Sequence, residues 1–359
     1  MEKVLATISD VARLSGMSVS TVSRVINNKP HVSEEKRQKI LEAMDALGYS
    51  PLQAARQLRG SGSGNIAVVV PTITNNFFAQ LVDSIEKTCR QYHYRTLIVQ
   101  TYGEKESEES AMNLLKMQHA DGVILCAIEN DWDKLKSYGE YGKLVVCNEY
   151  NQDKEISMVC GRQYEGFYKA SKYLLEKGYR KIAYCTGTRA VTLQDKGINI
   201  DSDRYRGYMD ALAQSGIAAN TAWLFSGVRE MEDGRKIMRK ILELSEKPDA
   251  VIAGSDEVAA GMVMEALKNG VKIPQDIAIM GVDDQPLASY LQIPLTTIWQ
   301  PVQDEGRCAA KEMVRQLKGE SEGIRRKELD LKLIVIEGRT YTGRCCDCGT
   351  GGGIRSVGE

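Results

Sequence analysis

The densest concentration of side chains able to recognise another molecule lies in residues 7 to 28, T-I-S-D-V-A-R-L-S-G-M-S-V-S-T-V-S-R-V-I-N-N. On a helix starting near Val19, residues Val19, Ser20, Ser23 and Arg24 share one face, opposite Val22 and Ile26. Short polar side chains and one arginine can enter a DNA major groove, where a guanidinium offers two parallel donors to a guanine edge. Catalytic chemistry has no comparable footing. His31, His93 and His119 are isolated from one another and read as surface residues rather than bases. There is no nucleophile elbow and no His-Glu-x-x-His. Gly60, Gly62 and Gly64 precede an apolar strand instead of opening a helix after one, which argues against a dinucleotide-binding enzyme. Cys345, Cys346 and Cys348 crowd the stretch R-C-C-D-C-G-T-G-G-G without two separated ligand pairs, so no metal site and no cofactor is expected. Cys89, Cys126, Cys147, Cys160, Cys185 and Cys308 read as reduced, buried thiols.

Three helices are needed to present that face. The first would bury Ile8, Val11, Ala12 and Leu14, and Gly16 would make the bend, where a side chain at positive φ is strained. Ser18 would cap the second helix, about Val19 to Asn27, with Val22 and Ile26 buried. Ser33 would cap a third, running to about Leu47 with Ile40, Leu41, Met44 and Leu47 as its apolar stripe. Gly48-Tyr49-Ser50-Pro51 stops it, because the residue before a proline is pushed out of helical geometry. L-Q-A-A-R-Q-L-R-G then offers helix-forming residues too few to be stable alone, followed by a flexible S-G-S-G.

From Asn65 the pattern becomes apolar runs alternating with amphipathic helices: I-A-V-V-V, a helix over 76–92, T-L-I-V, a helix over 106–119, G-V-I-L-C and L-V-V-C. A second set follows, with helices over 163–177, 203–215, 231–245 and 256–269 between K-I-A-Y-C, a short strand near Trp223, A-V-I-A and I-A-I-M-G. Such alternation predicts an α/β core of two lobes, each a parallel sheet covered on both faces, with a ligand between them at the carboxyl ends of the strands.

Composition agrees with a multidomain globular protein: 359 residues, 43% of them hydrophobic. No apolar run approaches the roughly 18–20 residues of a membrane span, and M-E-K-V-L-A-T lacks the apolar core of a secretory signal, so no membrane partner and a cytoplasmic location are expected. Lys and Arg number 47 against 48 Asp and Glu, yet residues 1–60 hold nine basic and six acidic side chains. A basic N-terminal unit on a slightly acidic body suits contact with phosphates at one end only.

Two amphipathic helices around a glycine occur in many all-helical cores, but here the wording is closer than the spacing. Residues 7–28, V-S-E-E-K-R-Q-K-I-L-E-A-M-D-A-L-G-Y-S-P, I-A-V-V-V-P-T-I-T-N-N-F-F, A-D-G-V-I-L, D-R-Y-R-G-Y, P-D-A-V-I-A-G-S-D, I-P-Q-D-I-A-I-M-G-V-D-D and I-P-L-T-T-I-W-Q-P-V resemble the lactose/galactose repressor (LacI/GalR) family of bacterial regulators, from about Thr7 to Tyr341. The resemblance implies a helix-turn-helix headpiece over 1–51, a hinge helix and linker over 52–64, and a two-lobe periplasmic-binding-protein-like core over 65–343. The lobes would be about 65–161 plus 295–325, and 162–294 plus 326–343, with a disordered tail over 344–359. It further implies a transcriptional repressor, not an enzyme, that binds double-stranded operator DNA as a homodimer and responds to a small carbohydrate-derived effector. A stand-alone sugar-binding protein of the periplasmic type is the alternative, disfavoured by the missing export signal and the attached headpiece.

Carried over residue by residue, the DNA-binding set is Thr7, Ser18, Val19, Ser20, Thr21, Ser23, Arg24, Asn27, Tyr49, Ala55 and Leu58, with Leu58 wedged into the minor groove. The effector set is Phe78, Arg162, Arg204, Arg229, Ser255, Asp256 and Asp283. Four departures stand out. Leu52 replaces the usual asparagine after the linker proline, and Ser255-Asp256 stands where the family has Asn-Asp. Arg229 occupies a position often held by an aromatic ring, and Arg162 one often held by an aspartate. Three arginines around one pocket would favour an anionic effector such as a sugar phosphate.

Overall fold

The computed structural model describes residues 6–26, 30, 32–49, 62–152, 155–187, 198–320 and 326–336, and the backbone of 354–357. These fall into two compact units, Met1–Ser63 and Gly64–Glu359.

In the first unit, α1 (Ile8–Ser15), α2 (Val19–Ile26) and α3 (Glu34–Leu47) enclose a small core of Val11, Ala12, Val22, Val25, Ile40 and Ala43. Thr7 starts α1 with a reciprocal cap, its hydroxyl facing the Asp10 N–H while its own N–H donates to Asp10 Oδ2 at 2.9 Å. Gly16 ends it at φ +69°, in the left-handed region where glycine is favoured. Three expectations need correction. Leu14 and Leu41 are exposed, and Val25 rather than Ile26 is the second buried residue of α2. The two valines at 22 and 25 lie three residues apart and so share the face that meets α1 and α3, whereas Ile26 is rotated to its edge. Ser33 precedes α3 without a capping hydrogen bond from its side chain.

The second unit has two sheets. The first runs β11–β5–β4–β3–β1–β2, built from β1 (Asn65–Val70), β2 (Arg95–Gln100), β3 (Gly122–Leu125), β4 (Lys143–Cys147), β5 (Ser157–Gly161) and β11 (Arg326–Leu329), all parallel. Its faces are covered by α4 (Asn76–Gln91) and α12 (Val302–Leu317) on one side, and by α5 (Lys105–Lys116) and α6 (Trp132–Ser137) on the other. Every residue of β1 is buried, as a central strand covered on both faces requires. The second sheet runs β13–β12–β10–β9–β8–β6–β7, from β6 (Ile182–Thr186), β7 (Leu224–Ser226), β8 (Ala250–Ile252), β9 (Ala278–Asp283), β10 (Thr296–Trp299), β12 (Lys332–Ile336) and β13 (Ile354–Val357). Helices α7 (Gln163–Glu176) and α8 (Ile200–Gln214) pack on one face, and α9 (Met231–Glu243), α10 (Asp256–Lys268) and the short α11 (Pro286–Tyr290) on the other.

The lobe boundaries differ from expectation at the C-terminal end. Strand β10 pairs with β9 in the second sheet, and the chain then returns to the first lobe as α12. Strand β11 pairs with β5 of the first sheet, and β12 with β10 of the second. The side chains explain the division. R-K-E-L is charged enough to form an exposed edge, whereas L-I-V of β12 alternates inward and Leu333 and Val335 enter the second-lobe core. The chain thus crosses between lobes three times, near Gly161, Gln300 and Asp330. The tail also departs from the expected disorder over 344–359: Ile354–Val357 pairs antiparallel with β12, from Leu333↔Val357 to Ile336↔Ile354.

Candidate DNA-reading face and effector cleft

In the headpiece, Ser18 Oγ accepts the Thr21 N–H at 3.2 Å and lies 2.9 Å from Ser20 Oγ and 2.8 Å from Thr21 Oγ1. The start of α2 is therefore tied down by its own hydroxyl groups. Val19, Ser20 and Arg24 are exposed, Thr21 and Ser23 half-buried, and Arg24 makes no ion pair among the described residues. Thr7 is exposed beside its capping partner Asp10, and Tyr49 packs on the headpiece core. Asn27, Ala55 and Leu58 lie outside the described residues, as do Leu52, His31 and the three tail cysteines. His93 and His119 are both exposed.

The second unit gathers polar side chains where the chain crosses between lobes. Arg204, one turn into α8, sets its guanidinium carbon 5.1 Å from the centre of the Phe167 ring and donates from Nε to Gln163 Oε1 at 2.8 Å. Gln163 Nε2 donates to Gln300 Oε1 at 2.8 Å, and Gln300 Nε2 donates to Asp283 Oδ1 at 2.5 Å. Gln163 follows the first crossover and Gln300 sits at the second, and both are buried. A continuous chain Arg204–Gln163–Gln300–Asp283 therefore links α8 to the end of β9 through the hinge segments. A Cβ on Gly161 would fall 2.9 Å from Gln163 Nε2, so a glycine there leaves room for the amide.

Asp283 leads to a second buried set. Gln285 Nε2 donates to Asp283 Oδ2 at 3.3 Å, while the Gln285 N–H donates to Asp256 Oδ2 at 2.6 Å and Thr297 Oγ1 to Asp256 Oδ1 at 2.7 Å. Asp256 is wholly buried, and burial followed by the charge of Asp283 pushes its carboxyl well above the usual range. Its role is to fix the β9–α10 region, since both oxygens are engaged by protein donors. Ser255 Oγ is similarly occupied, accepting the Val258 N–H at 3.2 Å as the cap of α10.

The remaining expected ligands divide. Phe78, on α4, is half-buried, edge-on to Phe77 with ring centres 5.3 Å apart. Arg229 is exposed, donates from Nε to the Gly187 carbonyl at 3.1 Å, and its charge reaches Glu129, Glu149 and Asp201. Arg162 does not join them. It pairs with Asp330 at 3.1 Å and Glu328 at 3.5 Å on the outer edge of β11, with nearly half of its side chain exposed. The next residue, Gln163, is the one that turns toward Arg204.

Sequence reasoning missed the carboxylates. Glu129 follows β3, held there because its N–H and that of Asn130 donate to buried Glu108 at 3.0 and 2.8 Å. Glu149 follows β4, and Asp201 opens α8. The Glu149 and Asp201 positions are joined by their neighbours: Ile200 packs in the same core cluster as Tyr150, whose hydroxyl donates to Asp203 Oδ2 at 3.0 Å. Enclosure raises all three carboxyls, Glu149 to about 8, with Asp201 adding to the effect and Arg204 opposing it. Fully buried Glu305, at the start of α12, is pushed by burial to about 8. For Glu129 and Glu149, the position just past the carboxyl ends of β3 and β4 was the available signal.

Residues 7–51 match the family described as "Bacterial regulatory proteins, lacI family", and residues 63–335 match "Periplasmic binding proteins and sugar binding domain of LacI family". The chain belongs to the LacI family of bacterial transcriptional regulators. Among this regulator's relatives, the NTD biosynthesis operon regulator NtdR of Bacillus subtilis is 35% identical over 93% of this chain and 99% of its own. The ribose operon repressor of Halalkalibacterium halodurans is 32% identical over 93% and 97%. Among solved structures, the transcriptional regulator CelR–cellobiose complex superposes with a TM-score of 0.68 at 26% identity, covering 93% of the regulator and 99% of that chain. A LacI family regulator from Lactobacillus casei with bound glucose gives 0.67 at 31% identity, over 77% and 99%. The Lac repressor dimer bound to operator and the anti-inducer ONPF, at 23% identity, shares the fold with a TM-score of 0.79 over 93% and 98%.

Proposed function

We propose that this regulator binds a near-palindromic operator as a cytoplasmic homodimer through the Val19–Arg24 face, and that a small carbohydrate-derived effector alters its operator affinity by closing the cleft between the lobes. The observation that carries this reading is the chain Arg204–Gln163–Gln300–Asp283. A ligand that engages Arg204 and Asp283 acts on amides seated in the crossovers, so binding energy is delivered where the lobes hinge. Its effect on operator affinity equals its differential affinity for the two core states, commonly about 1–3 kcal/mol. The sugars named for the relatives' structures support a carbohydrate. Among the described residues no helix is long and apolar enough to cross a membrane, which accords with a regulator reaching DNA.

A phosphorylated sugar is the second reading. Arg204 and Arg229 favour it, since their charges reach the same carboxylates and so border one space. Selecting operator sequences from genomic fragments with the full-length protein, then titrating the complex with sugars and sugar phosphates, tests both. A change of operator affinity with at least one sugar is expected. No selected sequence, or affinity indifferent to every ligand, overturns the assignment.

A further inference from the structure

The A-D-G-V-I-L stretch carries part of the family resemblance, yet none of its residues belongs to the DNA-reading face or to the effector cleft. Its Asp121 meets the chain where the second unit begins, at Gly64. Asp121 Oδ2 accepts the Gly64 N–H at 2.8 Å, and the Asp121 N–H donates to the Asn65 carbonyl at 2.8 Å. The Gly64 carbonyl accepts the Arg95 N–H at 2.9 Å, and Asn65 Nδ2 donates to the His119 carbonyl at 2.8 Å. The chain entering β1 is thus held on both sides, by the start of β2 and by the turn before β3. The Asp121 carbonyl accepts the Lys143 N–H at 3.1 Å, which ties the same residue to β4. A Cβ on Gly142 would lie 2.9 Å from that carbonyl oxygen, so a glycine there permits the approach.

The backbone bonds of Asp121 continue the sheet, but its carboxylate does something else. It takes the N–H of the residue before β1 and so fixes the direction in which the chain arrives, with a charged acceptor that makes the bond stronger than a neutral one. Gly64 sits at φ +70° with open space around its missing side chain, so conformation rather than crowding calls for glycine there. S-G-S-G over 61–64 has no large side chain to set that direction by itself. The covalent path from headpiece to core passes through this stretch. Strands β3 and β4 start beside Asp121 and run toward Glu129 and Glu149, so the same strands carry the anchor at one end and the cleft at the other.

We propose that Asp121 is a positioning residue for operator binding, its carboxylate fixing the point and direction at which the linker leaves the core. This rests on the operator-binding reading above. A fixed linker end reduces the conformational freedom lost on a specific site, whereas phosphate contacts on non-specific DNA require no set placement.

Binding of the full-length protein to an operator selected from genomic fragments, and to random DNA of equal length at the same salt, tests this. Asp121→Ala should weaken operator binding about tenfold or more and random-DNA binding by less than about threefold. Asp121→Asn keeps an acceptor oxygen in place and should recover operator binding to within about threefold of wild type. Gly64→Ala, strained at its positive φ without a steric clash, should show the same selective loss. The double variant should lose no more than about twofold beyond the larger single loss, because both substitutions open one joint. Operator preference retained in Asp121→Ala, equal losses on both DNAs, fully additive losses, or no recovery in Asp121→Asn overturns the proposal while leaving operator binding standing. Should circular dichroism show Asp121→Ala unfolded, Gly64→Ala decides, and unchanged preference there overturns it. Failure of the wild-type protein to select any operator overturns both readings.

Discussion

Replacing Gln163 by leucine removes the central link of the hinge chain at similar volume. The wild-type amide accepts from Arg204 Nε and donates to Gln300, each at 2.8 Å, and is 1% exposed, so no solvent stands ready to replace either partner. A neutral amide pair contributes about 1 kcal/mol and a bond from a charged guanidinium about 1.5–3 kcal/mol, which together set the loss at roughly 2.5–4 kcal/mol. In domains of this size 1 kcal/mol corresponds to about 2 °C or slightly more, so the core transition should fall by roughly 5–10 °C. Differential scanning calorimetry of the full-length protein reads this directly, with Gln91→Leu on the exposed end of α4 as a control that moves by no more than about 1 °C. If Gln163→Leu matched the control, the amide chain would be a packing coincidence without a share in holding the lobes, and the hinge argument would fail with it.

Arg24→Ala should lose about 1–3 kcal/mol of operator discrimination per half-site with the core transition unchanged, measured by competition against random DNA at fixed salt; an unaltered ratio would remove Arg24 as a base reader. Leu58→Gly should weaken operator binding far more than non-specific binding, because only a kinked site accepts an apolar wedge, and equal losses would make the residue a plain tether. Glu305 titrates at about 8 in the folded protein, against an ordinary glutamate value near 4.5 in the unfolded chain. The folded state therefore binds the extra proton between those values, and stability declines as pH rises through that window by up to about 1.4 kcal/mol per unit. Glu305→Gln should flatten the fall in melting temperature between pH 5.5 and 8, and an unchanged slope would mean that the carboxyl finds a partner in solution.

The headpiece was legible because its signals are local. Gly16 at positive φ and the Ser18 cap act within a few residues. Even there periodicity misplaced three residues: Val25 points inward in place of Ile26, and Leu14 and Leu41 are exposed. In the core, run lengths gave strands and helices, but parallel pairing is decided by partners far away in sequence. Nothing in T-T-I-W or R-K-E-L alone says which sheet each will join. The effector site failed at the same scale: a one-residue difference sends Arg162 to an outer edge and Gln163 into the hinge. Glu149 carried no motif, and only its place after a buried strand marks it.

The three crossings between lobes also set an order of assembly. Strand β11 closes the first sheet against β5 from nearly half the chain away, and β12 joins the second sheet only a few residues later. Neither lobe has its full set of strands until almost the entire chain has left the ribosome, whereas the headpiece core is complete within the first fifty residues. During synthesis the DNA-reading helices can fold while the core is still an unfinished sheet with open edges, and long-range parallel pairing is intrinsically slow. A chain cut before Arg326 would keep its headpiece and lose the edge strand of one lobe and β12 of the other. Newly made chains would then carry a folded DNA-reading headpiece before either lobe of the core is complete.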